Sequence, residues 1–390
     1  MLLKTAVSCA LLQSAATGSV RAARPTQTEP PLVIAHRGCS ALRPEHTLEA
    51  YAKAIEDGAD FIEPDLVVTR DGQLVARHEN NLADSTDVAI KPQFASRRCV
   101  KIIDGERREG WFAEDFTLEE LRSLRTRERF VDMRQESRRY DGLFGICTLE
   151  EIVDLVEAKA KSHQRIIGLA PEFKHSSYFQ GLGLALEPLL LAQIETSAYL
   201  RRCPLILQSF EIKNLQQLRE RLSTLPNVQL MQLIGDPRRR PWDAEARGAD
   251  TSYGDMLSPR GLAAVAEYAD YVAPPARVLI PLDAEQRLGE PSGIVETAHT
   301  AGLLVGTWTF RPENRFLPAD FRDGGAPEAR NELGSVAEMQ RYLALGIDAL
   351  FTDDPGLGNI ARAGRHDMRL RHGPAGAMIE PFRRWPIPPR

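Results

Sequence analysis

Eight apolar runs, most of them followed by an amphipathic stretch, leave this chain of 390 residues very few folds to choose from. The runs are LVIAHRG (32–38), DFIEPDLVVT (60–69), IIGLAPEFK (166–174), LILQSF (205–210), NVQLMQLIG (227–235), YVAP (271–274), LLVGTWTF (303–310) and ALFTD (349–353). Between them lie helical patterns such as TLEAYAKAIEDGA (47–59), NLQQLRERL (214–222), PRGLAAVAEYA (259–269) and VAEMQRYLALG (336–346). Strands alternating with helices build a parallel sheet. Eight such units predict an α/β fold of the (β/α)8 TIM-barrel type, with its site at the C-terminal ends of the strands. A ninth run, QLVARHE (73–79), follows the second after only RDG. That link is too short for a parallel crossover, and Asp71-Gly72 is a hairpin signal. The second strand should therefore rise past the rim, fold back and bring His78 to the mouth.

Residues from about 80 to 148 break the rhythm and read as a small inserted subdomain after this hairpin. Thr117-Leu118-Glu119-Glu120 and Thr148-Leu149-Glu150-Glu151 are capping boxes that start helices. The Arg-rich stretch RSLRTRERFVDMRQESRRYDG (122–142) reads as solvated surface, with a lid over the mouth as the alternative.

The first 22 residues read as a signal peptide: one cation, Lys4, ahead of an apolar region from about Thr5 to Ala16, and small residues at −3 and −1 of a cut after Ala22. A buried N-terminal helix is the alternative. The rest divides into a linker (23–31), the barrel (32–360) and a basic, proline-rich tail (361–390). No other run approaches the roughly 18 apolar residues of a membrane span. The expectation is an exported chain, periplasmic or secreted, with no stable membrane anchor. Cys39, Cys99, Cys147 and Cys203 would remain after cleavage; their even number permits disulfides, and the lack of C-x-x-C spacing argues against a thiolate zinc site. A net charge of −5 and a pI near 6.0 argue against nucleic acid as partner.

Polar residues at the strand ends carry the chemistry. His36 and Arg37 close the first strand; Glu63 and Asp65 stand two apart in the second, Glu172 and Lys174 two apart in the third. Residues i and i+2 of a strand share a face, roughly 6–7 Å apart. Two carboxylates there repel by about 2–3 kcal/mol at an effective dielectric near 20. A divalent cation held by Glu63, Asp65 and Glu172 is the simplest remedy, and interior salt bridges are the alternative. Without a metal, three carboxylates outweigh Arg37 and Lys174 and repel anions; one divalent ion reverses the sign and matches a singly charged phosphodiester. Hard oxygen ligands favour Ca²⁺ or Mg²⁺ over zinc. His36 and His78 can then take and give a proton, while Arg37 and the metal steady charge on the phosphoryl oxygens. A metal-dependent sugar isomerase could use the same acids and histidines, but the Arg37 and Lys174 pair suits phosphate better.

The pieces HRG (36–38), PEHT (44–47), GADFIEPDLVVTRDGQLVARHE (58–79), PEFK (171–174), QSF (208–210), WTF (308–310) and TDDP (352–355) together resemble the glycerophosphodiester phosphodiesterase family. The leader and the insertion after His78 resemble its exported bacterial branch. The resemblance implies a TIM barrel with an insertion, and a metal on Glu63, Asp65 and Glu172, often Ca²⁺ in exported members, with Mg²⁺ as the alternative. It implies His36 and His78 as general acid and base, Arg37 and Lys174 on phosphate, and Trp308 either near the substrate or in the core. The implied reaction is hydrolysis of small-molecule glycerophosphodiesters to sn-glycerol 3-phosphate and an alcohol. A substrate hydroxyl would attack first, giving a cyclic phosphate that water opens. Several positions depart from the family pattern. His46 stands where Asn is usual, Glu79 where Asp is common, and Cys39 and Cys147 replace a small residue and a proline. Pro64 removes a backbone donor between two acids, so a bulge or unpaired position is expected there. The rival readings are a phospholipase acting on intact or lyso-phospholipids and a non-catalytic solute-binding barrel.

Overall fold

The computed structural model describes residues 30–222 and 224–370. The expected signal peptide, almost all of the linker and the chain after 370 lie outside the described residues. Among the described residues there are thirteen strands. The first four are β1 (Leu32–His36), β2 (Phe61–Glu63), β3 (Asp65–Val68) and β4 (Leu74–Ala76). The insertion contributes β5 (Cys99–Ile103) and β6 (Glu106–Gly110). There follow β7 (Gly168–Leu169), β8 (Glu172–Phe173), β9 (Leu205–Ser209) and β10 (Val228–Leu233). The last are β11 (Tyr271–Ala273), β12 (Leu304–Phe310) and β13 (Ala349–Thr352).

Parallel pairing runs around a closed ring of eight staves, β1, β2 with β3, β7 with β8, β9, β10, β11, β12 and β13, and β13 returns to β1. The expected (β/α)8 barrel is thus the observed fold. Two staves are broken by a proline: Pro64 divides β2 from β3, and Pro171 falls in the gap between β7 and β8. Neither ring nitrogen can donate to a ladder. Their carbonyls still pair across the sheet, Pro64 O accepting from Glu172 N at 3.0 Å and Pro171 O from Gln208 N at 3.0 Å. After each break the stave resumes in register, with Asp65 opposite Glu172 and Glu172 opposite Gln208. β4 returns antiparallel on β3, Val67 facing Val75, as the Asp71-Gly72 turn requires.

The apolar sequence pattern fills two layers. Ile34, Phe61, Ile206, Met231, Tyr271 and Phe351 plug the interior of the ring. Gly168 makes room there, since a Cβ on it would stand 2.2 Å from the Phe61 ring. Between ring and helices lies the larger core. Helix Leu149–Ser162 starts at the expected capping box, Thr148 with Glu151, and buries Leu149, Ile152, Val153, Val156 and Ala160 at helical spacing.

The Arg-rich stretch 122–142 is solvated in part: most of its arginines are exposed, whereas Leu124, Thr126, Glu128, Arg134 and Ser137 are buried, and the insertion around it carries apolar core. Phe94, Trp111, Phe116, Leu121 and Leu124 join the main core, and Phe94 meets Phe116 edge-on at 5.0 Å. The last helix, Pro355–Leu370, runs past position 360, where the sequence reading begins the tail. No disulfide joins Cys39, Cys99, Cys147 and Cys203, and three of them are buried. Among the described residues no helix is long and apolar enough to cross a membrane.

Candidate active site

The broken staves bring the acids together. One carboxylate oxygen from each of Glu63, Asp65 and Glu172 lies within 4.8 Å of the others, and all three residues are buried. Each is held by neighbours. Arg37 takes a left-handed backbone conformation, φ 61°, which only a well-packed site sustains for a non-glycine residue. That turn aims its N–H at Glu63 Oε2, 2.8 Å away. Gln208 Nε2 donates to Glu63 Oε1 at 3.2 Å. His46 Nε2 lies 2.9 Å from Asp65 Oδ2, with Tyr51 OH 2.8 Å from its other ring nitrogen. Lys174 Nζ reaches Glu172 Oε1 at 2.7 Å and stands 3.4 Å from Asp65 Oδ1.

The electrostatics of this cluster are uneven. Burial, then Asp65 and Glu172, push the Glu63 carboxyl well above its ordinary range. Burial, against the pull of Lys174 and helped by Asp65, pushes Glu172 up to about 8. At Asp65 burial acts the same way but loses to Lys174, His46 and Arg37, which hold it well below. Asp65 Oδ1 is buried with no hydrogen bond. Three buried oxygen donors, two of them on carboxyls short of positive charge and the third an Asp65 oxygen with no hydrogen bond, fit a hard divalent cation.

The sequence-derived histidines flank this cluster in different settings. His36 Nδ1 lies 2.6 Å from Asp353 Oδ1. Asp353, although buried, is held well below its ordinary value by Arg134 and Arg311, so it accepts the Nδ1 proton and leaves Nε2 bare. His78 Nδ1 lies 3.3 Å from Arg129 Nη1 and 3.2 Å from Glu79 Oε1. Burial, and then Arg37, lower His36 to about 4 and His78 to about 3, so both rings are neutral at neutral pH.

The expected phosphate cations are engaged rather than free: the Arg37 guanidinium meets Glu45 at 2.9 Å and Asp65 at 3.4 Å, and Lys174 meets the two acids named above. A cleft of about 370 Å³ opens from His78, Glu172 and Lys174 past Phe210 and Glu211 to Trp242. Trp308 is half-buried and donates Nε1–H to Ala273 O at 2.9 Å. Its ring packs edge-on against Phe210 at 5.7 Å, which places it behind the cleft wall.

Several residues of this centre escape a reading of strand ends alone. Arg77 of the hairpin is buried and donates to the Glu45 and His46 carbonyls at 3.0 Å each, fixing the turn that carries His46. Asp353 ends the eighth stave, where the rule used for the first three strands would have found it. Arg129 and Arg134 come from the Arg-rich stretch, and nothing local separates them from its exposed arginines.

Comparisons with known proteins identify the family. Residues 36–357 match the model of the glycerophosphoryl diester phosphodiesterase family. A glycerophosphodiester phosphodiesterase of Arabidopsis thaliana is 30% identical over 346 residues, covering 85% of this chain and 86% of its own length. One from Haemophilus influenzae is 28% identical over 345 residues, covering 84% of this chain and 88% of its own. Among solved structures, a protein of Silicibacter pomeroyi assigned to the glycerophosphoryl diester phosphodiesterases shares the fold, with a TM-score of 0.58 at 20% identity over 86% of this chain and 95% of its own. A match across nearly the whole barrel, from His36 to the helix after Asp353, places the chain in the glycerophosphoryl diester phosphodiesterase family.

Proposed function

We propose that the enzyme hydrolyses glycerophosphodiesters to sn-glycerol 3-phosphate and an alcohol, at the barrel mouth, with Glu63, Asp65 and Glu172 holding a divalent cation, Ca²⁺ before Mg²⁺. The observation that carries this reading is the meeting of three buried carboxylates within 4.8 Å, beside Arg37 and Lys174 and between two imidazoles. When bound, the cation supplies Lewis-acid polarisation of a phosphoryl oxygen.

The protein's own groups divide the remaining work. His36, with Nδ1 given to Asp353, offers a bare Nε2 as general base toward the attacking hydroxyl. His78, in the tautomer that accepts from Arg129 at Nδ1, would present Nε2–H to the leaving oxygen. A bound phosphodiester anion raises both imidazole pKa values from their low resting positions, which favours the protonated ring that each must become or supply. Arg37 and Lys174, which stand beside the acids, would contact the phosphoryl oxygens and steady their charge. The cleft past Phe210 and Glu211 receives the alcohol portion. An N-terminal leader fits an exported, periplasmic or secreted location, which would put the enzyme among extracellular deacylated lipids.

The test is release of glycerol phosphate from glycerophosphocholine, with lysophosphatidylcholine as the rival substrate. Chelator should abolish turnover and added Ca²⁺ or Mg²⁺ restore it, while Glu63→Gln should require more cation for the same rate. Turnover indifferent to chelation would remove the metal from the mechanism; preference for the lyso-lipid would replace the substrate.

A further inference from the structure

We infer that Arg134, a residue of the inserted segment, is a positioning residue for His36: it clamps the Asp353 carboxylate against the imidazole and pins the backbone behind it. The inference rests on the hydrolytic reading above and adds to it a duty for the insertion.

Arg134 is 4% exposed and spends all three donor directions inside the protein. Nη2 donates to Asp353 Oδ2, Nε to Glu313 Oε1 at 2.8 Å, and Nη1 to Ser40 O at 2.9 Å. The Phe130 ring lies 4.8 Å from its guanidinium carbon. These contacts grip His36 from two sides. Asp353 turns its other oxygen, Oδ1, to His36 Nδ1 at 2.6 Å. Ser40, whose carbonyl Arg134 holds, donates its own Oγ–H to the His36 carbonyl at 2.9 Å. A planar guanidinium meets three acceptors at fixed angles, which an ammonium cannot imitate.

A mere tether for the insertion would be satisfied by Glu313 and Ser40. The shared Asp353 oxygen is the additional feature. Arg311 Nε also reaches that oxygen, at 3.1 Å, from a side chain 21% exposed. Without Arg134 the carboxylate would keep only this more solvated partner, and nothing would fix its rotation toward His36. A displaced base forfeits turnover more than binding, because alignment is needed most in the transition state.

The experiment uses the full chain with added Ca²⁺, glycerophosphocholine as substrate, and steady-state rates taken well below each variant's melting temperature. Arg134→Met should lower kcat by about 10–100-fold while KM stays within about threefold. Arg134→Lys should recover only part of the loss. Asp353→Asn should cost a similar factor, and the double variant no more than the worse single one, because both act through one carboxylate. Glu313→Gln, which loosens the tether and spares Asp353, should lower the melting temperature without a matching fall in kcat. Wild-type kcat in Arg134→Met, or losses that multiply in the double variant, would overturn the inference alone. If Arg134→Met does not fold, Arg134→Lys combined with Asp353→Asn decides by the same criterion. A wild-type chain that releases no glycerol phosphate would overturn this inference and the proposed function together.

Discussion

The staves that carry the acids and the staves opposite them are built differently. On the near side, β2, β3, β7 and β8 are two to four residues long and are interrupted by Pro64 or Pro171. On the far side, β10 and β12 run for six and seven residues without a break. The near side buries Glu63, Asp65, Glu172 and Lys174, whereas the far side faces the ring interior with Met231, Leu233, Tyr271 and Ala273. Each interruption leaves the register unchanged, so Asp65 still stands opposite Glu172 and the three carboxylates meet. Like charges gathered out of water oppose folding, and apolar burial on the far side opposes that cost without entering the chemistry. Both arcs bury apolar side chains, Phe61 and Ala170 among them on the near side, but only the near arc also gathers the acids.

Substitutions on the two arcs should separate those duties. The largest effect falls on the near side. His36→Ala or His78→Ala should cut kcat by about 10²–10⁴-fold, the usual worth of a general acid or base, with a circular-dichroism melt close to that of the wild type. Turnover at the wild-type rate in either variant would break the assignment. Met231→Ala should show the reverse. Met231 is fully buried in the interior plug, and its truncation should cost about 2–5 kcal/mol in denaturant unfolding while kcat below the melt stays unchanged. A Met231 variant that lost turnover as the histidine variants do would mean the arcs are not separable.

The same contrast explains what the sequence disclosed. Every stave was legible, because the apolar runs are local and their β-branched character is strong; the hairpin was legible from Asp71-Gly72, and both expected capping boxes formed. The acids were legible from their i, i+2 spacing, since burying two carboxylates on one face needs a reason. The supporting contacts were not. His36 meets Asp353 across 317 positions, and Arg134 meets it across 219. Pairings of that length follow from ring closure and leave no local signature. Arg134 looks like its neighbours in an Arg-rich stretch; only packing around Phe130 and Glu313 distinguishes it. His46 stood out as a departure from the family's usual Asn, and its ring supplies the hydrogen bond to Asp65 that an amide would otherwise have to make. The cysteines left the question open, since an even count only permits disulfides; Cys39, Cys147 and Cys203 are small buried groups.

The smallest expected effect concerns how charge on the near side docks the insertion. His175 Nδ1 lies 2.6 Å from Asp104 Oδ2 at the tip of the β5–β6 hairpin, and Nε2 lies 3.3 Å from Glu79 Oε2. Burial alone would lower this imidazole's pKa, but Asp104 and Glu79 outweigh it and raise the value to about 9. A histidine raised in the folded state stabilises fully below its unfolded value near 6.5 and loses that contribution as pH climbs through about 9. A shift of this size corresponds to about 3 kcal/mol at most, reduced by the solvent around Asp104 and Glu79 to about 1–3 kcal/mol. His175→Gln keeps the side-chain volume and removes the charge. The wild type should therefore exceed the variant by that margin in urea unfolding at pH 6, and the gap should close between pH 7 and 10. An apolar contact such as Met231 contains no titrating group, so its margin should stay level over the same range. A constant gap for His175→Gln would mean that the hairpin is docked by packing, as the far side is, and not by charge.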